Sequence, residues 1–215
     1  LKRLVFHFDV ISPFAFLAFE RLPQVLEGCS YEVEYRPVLF AAMLAHWGQK
    51  GPAEVEPKRA WTFRHVHWLA HRHGVQLETP AEHPFNPLAL QRLAWACAPE
   101  GGAPNRRDVE AIFRHVWQSG GRDANDPLAL AELTARLAPP RDPAGDSVKG
   151  DLRRATDEAI GCGVFGVPTV TLDGRHFWGL DGLEMLAEAL RGGAWFDGPG
   201  WDAEGAPRRG VVRGR

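Results

Sequence analysis

The hydrophobic period of this chain switches between strand and helix in a fixed order, and that order limits what it can fold into. Leu4-Val5-Phe6-His7-Phe8 is a short run of strand type. Tyr31 to Val38 alternates, with Tyr31, Val33 and Tyr35 set against Glu32 and Glu34. Between these two segments Phe14, Leu17 and Ala18 begin an apolar face at helical spacing. From about Ala41 to Ile160 the signals are helical. Extended structure then returns, as Thr169 to Leu172 and Arg175 to Trp178 flank the strong turn signal Asp173-Gly174. Gly182 to Arg191 closes the pattern as an amphipathic helix, with Leu183, Leu186, Ala187 and Leu190 on one face.

A β-α-β half followed, after a helical block, by a β-β-α half is the thioredoxin layout interrupted after its second strand. The sequence therefore predicts an α/β, thioredoxin-like fold with an all-helical insertion domain. Residues 1–40 and 161–195 make the thioredoxin-like domain, 41–160 the insertion, and 196–215 a C-terminal tail. Local punctuation supports the helices. Ser12-Pro13 suits an N-cap and first helical position, and Asn86-Pro87 and Asp126-Pro127 repeat that start. The first helix is expected to kink or restart at Pro23 and to end at Gly28. Pro57 to His73 is a helix stopped by Gly74, and Arg106 to Ser119 one closed by Gly120-Gly121. Ala138 to Ser147 is a proline-rich loop, with the last helix of the block over Asp151 to Ile160. From Gly192 onward glycine, proline and arginine predict a draped or disordered tail.

Composition narrows the functional classes. A net charge of −2 over 215 residues gives no general pull toward nucleic acid or an anionic membrane. No apolar run approaches the ~20 residues of a membrane helix, and the N-terminus lacks signal-peptide architecture, so a cytoplasmic location is expected. Cys29, Cys97 and Cys162 are far apart, which argues against a disulfide framework, a structural zinc site or a dithiol motif. His65, His67, His71 and His73 share one predicted helix, but His67 to His71 lacks the glutamate of a metalloprotease motif, and solvated histidines are the better reading. No metal is expected.

Three segments could carry chemistry. Ser12 is either a plain helix cap or more. A helix N-terminus favours an anion, a thiolate placed there is stabilised, and a serine hydroxyl can donate one bond to such a sulfur. With no cysteine at that position, the sulfur would have to come from a ligand. Gly161, Gly163 and Gly166 satisfy G-x-G-x-x-G, but they follow a helix and precede a strand, the reverse of a dinucleotide fingerprint. In Val167-Pro168-Thr169 the proline enters a strand. A trans bond there means a strand edge, whereas a cis bond turns the Val167 backbone outward toward an extended peptide ligand. Asp181 with Glu184 fits a capping box, and the same carboxylate could meet a ligand ammonium. His83-Pro84-Phe85-Asn86-Pro87 is a stiff turn, either structural or lining a site through His83 or Phe85. Trp61, Trp68 and Trp178 are candidates for an aromatic pocket.

In this order and spacing, Asp9-Val10-Ile11-Ser12-Pro13-Phe14-Ala15-Phe16-Leu17-Ala18, Arg36-Pro37-Val38-Leu39, Gly48-Gln49-Lys50-Gly51-Pro52-Ala53, His83-Pro84-Phe85-Asn86-Pro87-Leu88, Gly163 to Thr169 and Phe177-Trp178-Gly179-Leu180-Asp181 resemble the 2-hydroxychromene-2-carboxylate isomerase family. That family is close to the kappa-class glutathione transferases, within the DsbA-like thioredoxin group. The resemblance covers roughly residues 3 to 191. It implies glutathione as cofactor, with Ser12 bonded to its sulfur. It implies a cis Val167-Pro168 bond with the Val167 backbone paired to the cysteinyl part, and Leu180 (backbone) and Asp181 at the γ-glutamyl end. It also implies a small aromatic or conjugated carbonyl substrate, an isomerisation by thiolate addition and elimination, and a homodimer. Gln49 stands where relatives usually have a cofactor- or substrate-binding asparagine. Leu44 and Glu54 stand where they have the basic and asparagine residues that contact an aromatic keto acid. The expected function is a glutathione-dependent isomerase or kappa-like transferase. The alternatives are a non-catalytic peptide-binding module on the same fold, or a thiol–disulfide oxidoreductase, which would need a cysteine near Ser12.

Overall fold

A computed structural model describes residues 1–202 of the chain. Four strands form one sheet in the order β2-β1-β3-β4, with β1 Lys2–Phe8, β2 Tyr31–Pro37, β3 Thr169–Leu172 and β4 Arg175–Trp178. β1 and β2 run parallel, joined by helix α1 (Pro13–Val25), while β3 lies antiparallel to both β1 and β4. Between β2 and β3 come α2 (Phe40–Trp47), a 3-10 turn (Pro52–Glu54), α3 (Glu56–His73), α4 (Leu88–Cys97), α5 (Arg106–Trp117), α6 (Pro127–Leu137) and α7 (Asp146–Gly161). After β4 follow α8 (Gly182–Leu190), α9 (Ala194–Asp197) and α10 (Pro199–Asp202). This is the thioredoxin-like topology that the period changes predict.

The predicted hairpin forms as read. Asp173 and Gly174 both take positive φ, 50° and 78°, which is the geometry a two-residue turn between twisted strands requires. Alternation on β1 puts Leu4, Phe6 and Phe8 into one core with Phe16 and Phe19 of α1, Phe113 and Trp117 of α5, and Leu183 and Leu186 of α8. The rings interlock, with Phe8–Phe113 and Phe19–Phe113 both at 5.2 Å between centroids. Leu90 and Leu93 of α4 join the same core, so the helices between β2 and β3 share their apolar interior with the sheet. A second cluster joins Val38, Met43 of α2, Trp95 of α4 and Leu152, Ala155 and Ala159 of α7 with Val164 and Val167.

Four local expectations are corrected. α1 neither restarts at Pro23 nor reaches Gly28; it runs through the proline and ends at Val25. Pro23 has no N–H for the Phe19 carbonyl, and Arg106 Nη2 supplies that bond at 3.1 Å, with its guanidinium 4.0 Å from the Phe19 ring centroid. α7 begins at Asp146 and not Asp151, with exposed Gly150 tolerated inside it and Asp146 favourable in the first turn. α4 begins at Leu88, one residue beyond the expected proline start, with Asn86 Oδ1 accepting the Leu88 N–H at 3.0 Å. The tail is structured up to Asp202: Phe196 is buried, and Trp201 lies 5.4 Å from the Phe177 ring. The rest of the predicted tail, residues 203–215, lies outside the described residues.

Candidate functional site

The site begins where β1 stops. Residues 9–12 bridge the strand to α1 without regular structure, so each backbone group there needs a partner from elsewhere. The Val10 N–H donates to Gln91 Oε1 (3.3 Å), and the Val10 carbonyl accepts from Trp117 Nε1 (2.9 Å). The Ile11 N–H donates to Asp9 Oδ1 (3.1 Å), and the Ile11 carbonyl accepts from His83 Nε2 (2.8 Å). The Ser12 N–H closes on the Asp9 carbonyl at 3.0 Å.

Ser12 is therefore placed with extended φ and ψ at the N-cap of α1, and its Oγ accepts the Ala15 N–H at 3.2 Å. No acidic residue lies in the first turn of α1, so no side chain there competes for the positive end of the helix. The Ser12 Oγ–H is directed to the Val167 carbonyl at 3.5 Å, longer than a good hydroxyl bond. Ser12 and Val167 are thus brought together from opposite ends of the chain.

The Val167-Pro168 bond is cis, as is His83-Pro84. The Val167 N–H finds no backbone partner among the described residues, and the Pro168 carbonyl accepts the Gly179 N–H at 2.9 Å. That bond carries the chain from the proline to Gly179-Leu180-Asp181. Gly179 has φ +87°, and a Cβ there would stand 2.5 Å from Asp181 Oδ1, so the turn needs glycine twice over. Leu180 is half-buried against the Leu17, Val66 and Ala70 cluster. Asp181 does not form the expected capping box: its backbone is already helical, and its side chain makes no cap hydrogen bond. The carboxylate is exposed and uncommitted among the described residues.

Gln49 lies just past α2, its N–H donating to the Leu44 carbonyl at 2.9 Å. Its side chain is exposed and makes no hydrogen bond to a described residue. α2 is tied to the segment before Val167, because Trp47 Nε1 donates to the Val164 carbonyl at 3.2 Å. Glu54 folds back so that Oε1 accepts the Gly51 N–H at 2.6 Å, and a Cβ on Gly51 would lie 3.3 Å from the Leu44 side chain. The suspected aromatic residues do not share one pocket. Trp61 and Trp68, 64% and 52% exposed, stack on either side of His65 along α3, whereas Trp178 packs on Phe165 at 5.1 Å. His65 touches Phe14 in the first turn of α1 at 5.9 Å.

Asp9, Gln91 and Trp117 escaped the sequence reading. Asp9 is 1% exposed; its Oδ2 accepts the Phe40 N–H at 2.9 Å, so it caps α2 while holding Ile11. Burial, opposed by these two N–H bonds, pushes its carboxyl up to about 7. Gln91 is fully buried and also donates to the Phe8 and Val38 carbonyls, at 3.0 and 2.7 Å. A polar residue at a buried position of an otherwise apolar helical face was the available signal.

A match to the DSBA-like thioredoxin domain covers residues 3–191. A 2-hydroxychromene-2-carboxylate isomerase of Sphingobium xenophagum is 31% identical over 201 residues, 88% of this chain and 98% of the relative. Glutathione S-transferase kappa 1 of Homo sapiens is 26% identical over 206 residues, 85% of this chain and 88% of the relative. A solved structure of 2-hydroxychromene-2-carboxylate isomerase covers 91% of this chain and 97% of its own, with a TM-score of 0.76 at 23% identity, a likeness of fold. The chain therefore belongs to the DSBA-like thioredoxin domain family and groups within it with the 2-hydroxychromene-2-carboxylate isomerases.

Proposed function

We propose that the protein is a glutathione-dependent enzyme, an isomerase or kappa-like transferase acting on a small conjugated carbonyl compound. The observation that carries this reading is the Ser12 hydroxyl. It stands at the positive end of α1, accepts the Ala15 N–H, and spends its own proton on a long 3.5 Å contact to the Val167 carbonyl. Such a donor can turn to a sulfur anion at little cost. The relatives named as isomerases and glutathione transferases support the same chemistry.

The surrounding groups suit a tripeptide. The Val167 N–H, without a backbone partner among the described residues, and its carbonyl can pair with an extended backbone, the manner in which sheet edges receive peptides. The exposed Asp181 carboxylate can take the γ-glutamyl ammonium, with the Leu180 backbone beside it, and the Gln49 amide is free to donate from the α2 side. When bound, glutathione supplies a thiolate that adds to the conjugated carbon, making the former double bond rotatable until elimination restores it. Ser12 and the α1 N-terminus would hold that sulfur as the anion. Leu44 is apolar and Glu54 a carboxylate that accepts the Gly51 N–H, so neither offers a cation to a substrate carboxylate on the α2 side. Among the described residues no helix is long and apolar enough to cross a membrane. A cytoplasmic location and a homodimer belong to the proposal, the homodimer resting on the resemblance.

Titration of the full chain with glutathione tests the reading. Millimolar glutathione should raise the melting temperature by mass action, and the ultraviolet thiolate band should show the bound thiol titrating below the free one. Ser12→Ala should raise that bound-thiol pKa by about a unit, a loss of ~1.4 kcal/mol of thiolate stabilisation. The absence of any thermal shift at millimolar glutathione would sink the reading.

A further inference from the structure

We propose that His83 is the positioning residue of the Ser12 site: its Nε2–H, donated to the Ile11 carbonyl, fixes the plane of the Ile11–Ser12 peptide and so the direction of the Ser12 hydroxyl. The inference rests on the glutathione reading only for its consequence on the thiol.

The tautomer follows from the partner. A carbonyl can only accept, so the ring carries its proton on Nε2 at the 2.8 Å contact. Nδ1 is buried without a partner among the described residues. The ring cannot swing, because it is packed edge-on to Phe63 at 5.0 Å and Phe85 at 6.1 Å, and lies 5.9 Å from Trp117. Burial, opposed by the Ile11 bond and aided by the Arg59 charge facing it from α3, holds the imidazole below its usual range, and Phe85 and Trp117 add no charge. The same ring therefore stays neutral and donates one bond in one direction.

That direction matters because of what lies across the peptide. The Ile11 carbonyl is held by His83, and the Ser12 N–H of the same peptide by the Asp9 carbonyl at 3.0 Å. With both ends of the plane tied, the Ser12 Cα–Cβ bond has one orientation at the head of α1. Trp117 holds the neighbouring Val10 carbonyl. Without His83 the Ile11–Ser12 peptide keeps only one of its two ties, and Ser12 can rotate away from the α1 amides.

The test compares wild type with H83F and H83Q as full chains. Phenylalanine keeps an aromatic ring among Phe63, Phe85 and Trp117 but donates nothing, whereas glutamine returns an N–H near the Nε2 place. The first readout is amide exchange without glutathione. In H83F the Ser12 amide should exchange at least ~10-fold faster, while the amides of the Thr169–Leu172 strand are unchanged. The second is the bound-thiol pKa, which should rise by about one unit in H83F, a ~10-fold loss of thiolate at a pH below it. H83Q should stay within about threefold of wild type on both. An H83F chain with wild-type Ser12 exchange and wild-type thiol pKa overturns the proposal, and so does H83Q behaving as H83F. A wild type that leaves the glutathione thiol unshifted defeats the glutathione reading instead, and the exchange measurement still decides the role of His83.

Discussion

Replacing Asp9 by asparagine isolates the electrostatic cost of building this site. Asp9 is buried, and both of its oxygens accept backbone N–H groups, from Ile11 and Phe40. Its carboxyl is nevertheless pushed up to about 7, because loss of water outweighs those two bonds. An unfolded aspartate titrates near ~3.9, so between about pH 4 and pH 7 the native state binds more protons than the unfolded one. Stability must then fall as pH rises through that window. Integrated from about pH 5 to about pH 8, this one group costs ~2–3 kcal/mol.

Asparagine cannot ionise, so Asp9→Asn removes that slope. It also turns an NH2 toward one of the two backbone donors, a pH-independent loss of ~1–3 kcal/mol. The stability difference between variant and wild type should therefore move by ~2–3 kcal/mol in favour of the variant from about pH 5 to about pH 8. Urea unfolding of both chains at the two pH values measures it. His7, buried and lowered to about 3 mainly by that burial, slopes the opposite way: its contribution is lost as pH falls from ~6.5 toward 3. It is present in both chains and cancels in the subtraction. Parallel pH profiles, within ~0.5 kcal/mol, would mean that Asp9 is ionised throughout and would refute the burial reasoning.

Two further outcomes are expected. Ser12→Cys places a protein thiol at the α1 N-terminus, and its alkylation rate should titrate well below the ordinary ~8.5 of a free cysteine; wild type supplies the background of exposed Cys162 and half-buried Cys29, and Cys97, pushed up to about 12 by burial, stays silent. A midpoint at or above ~8.5 would mean that the helix end does not favour sulfur anions. Gly179→Ala meets both the φ of +87° and the Asp181 oxygen 2.5 Å from the new Cβ, so it should destabilise by ~1 kcal/mol or more and weaken glutathione binding. Calorimetric titration with unchanged affinity would remove Asp181 from the site.

What was legible in the sequence is what short-range chemistry writes there. The strand–helix period changes gave the sheet order its two halves, Asp173-Gly174 gave the hairpin, and Ser12-Pro13 and Asp126-Pro127 gave caps that the structure makes with the Ala15 and Ala129 amides. Two of the failures trace to partners far along the chain, and the third to the local turn at Gly179. Pro23 reads as a break until Arg106 repairs the Phe19 carbonyl. The last helix of the block reads as starting at Asp151, yet α7 begins at Asp146 and passes through Gly150, with Val148 and Leu152 on either side buried in a cluster with Val38 and Met43. Asp181 with Glu184 has the spacing of a capping box, but the turn at Gly179 draws the Asp181 side chain back over the glycine.

The same distance explains how the site is held. The β1–α1 loop cannot satisfy its own backbone, and the groups that do so come from Gln91, Trp117 and His83, separated from it by 81, 107 and 72 positions. All three stand on or beside helices lying between β2 and β3, whose apolar faces are buried in the same core as Phe6, Phe8 and Phe16. That core thus ties the loop's partners to the sheet itself, through Phe6 and Phe8 of β1. The helices between the two halves of the thioredoxin layout thus bear on the candidate site through the backbone of the β1–α1 loop. They hold the peptide ahead of Ser12 still, so that the hydroxyl and the α1 amides converge on one point.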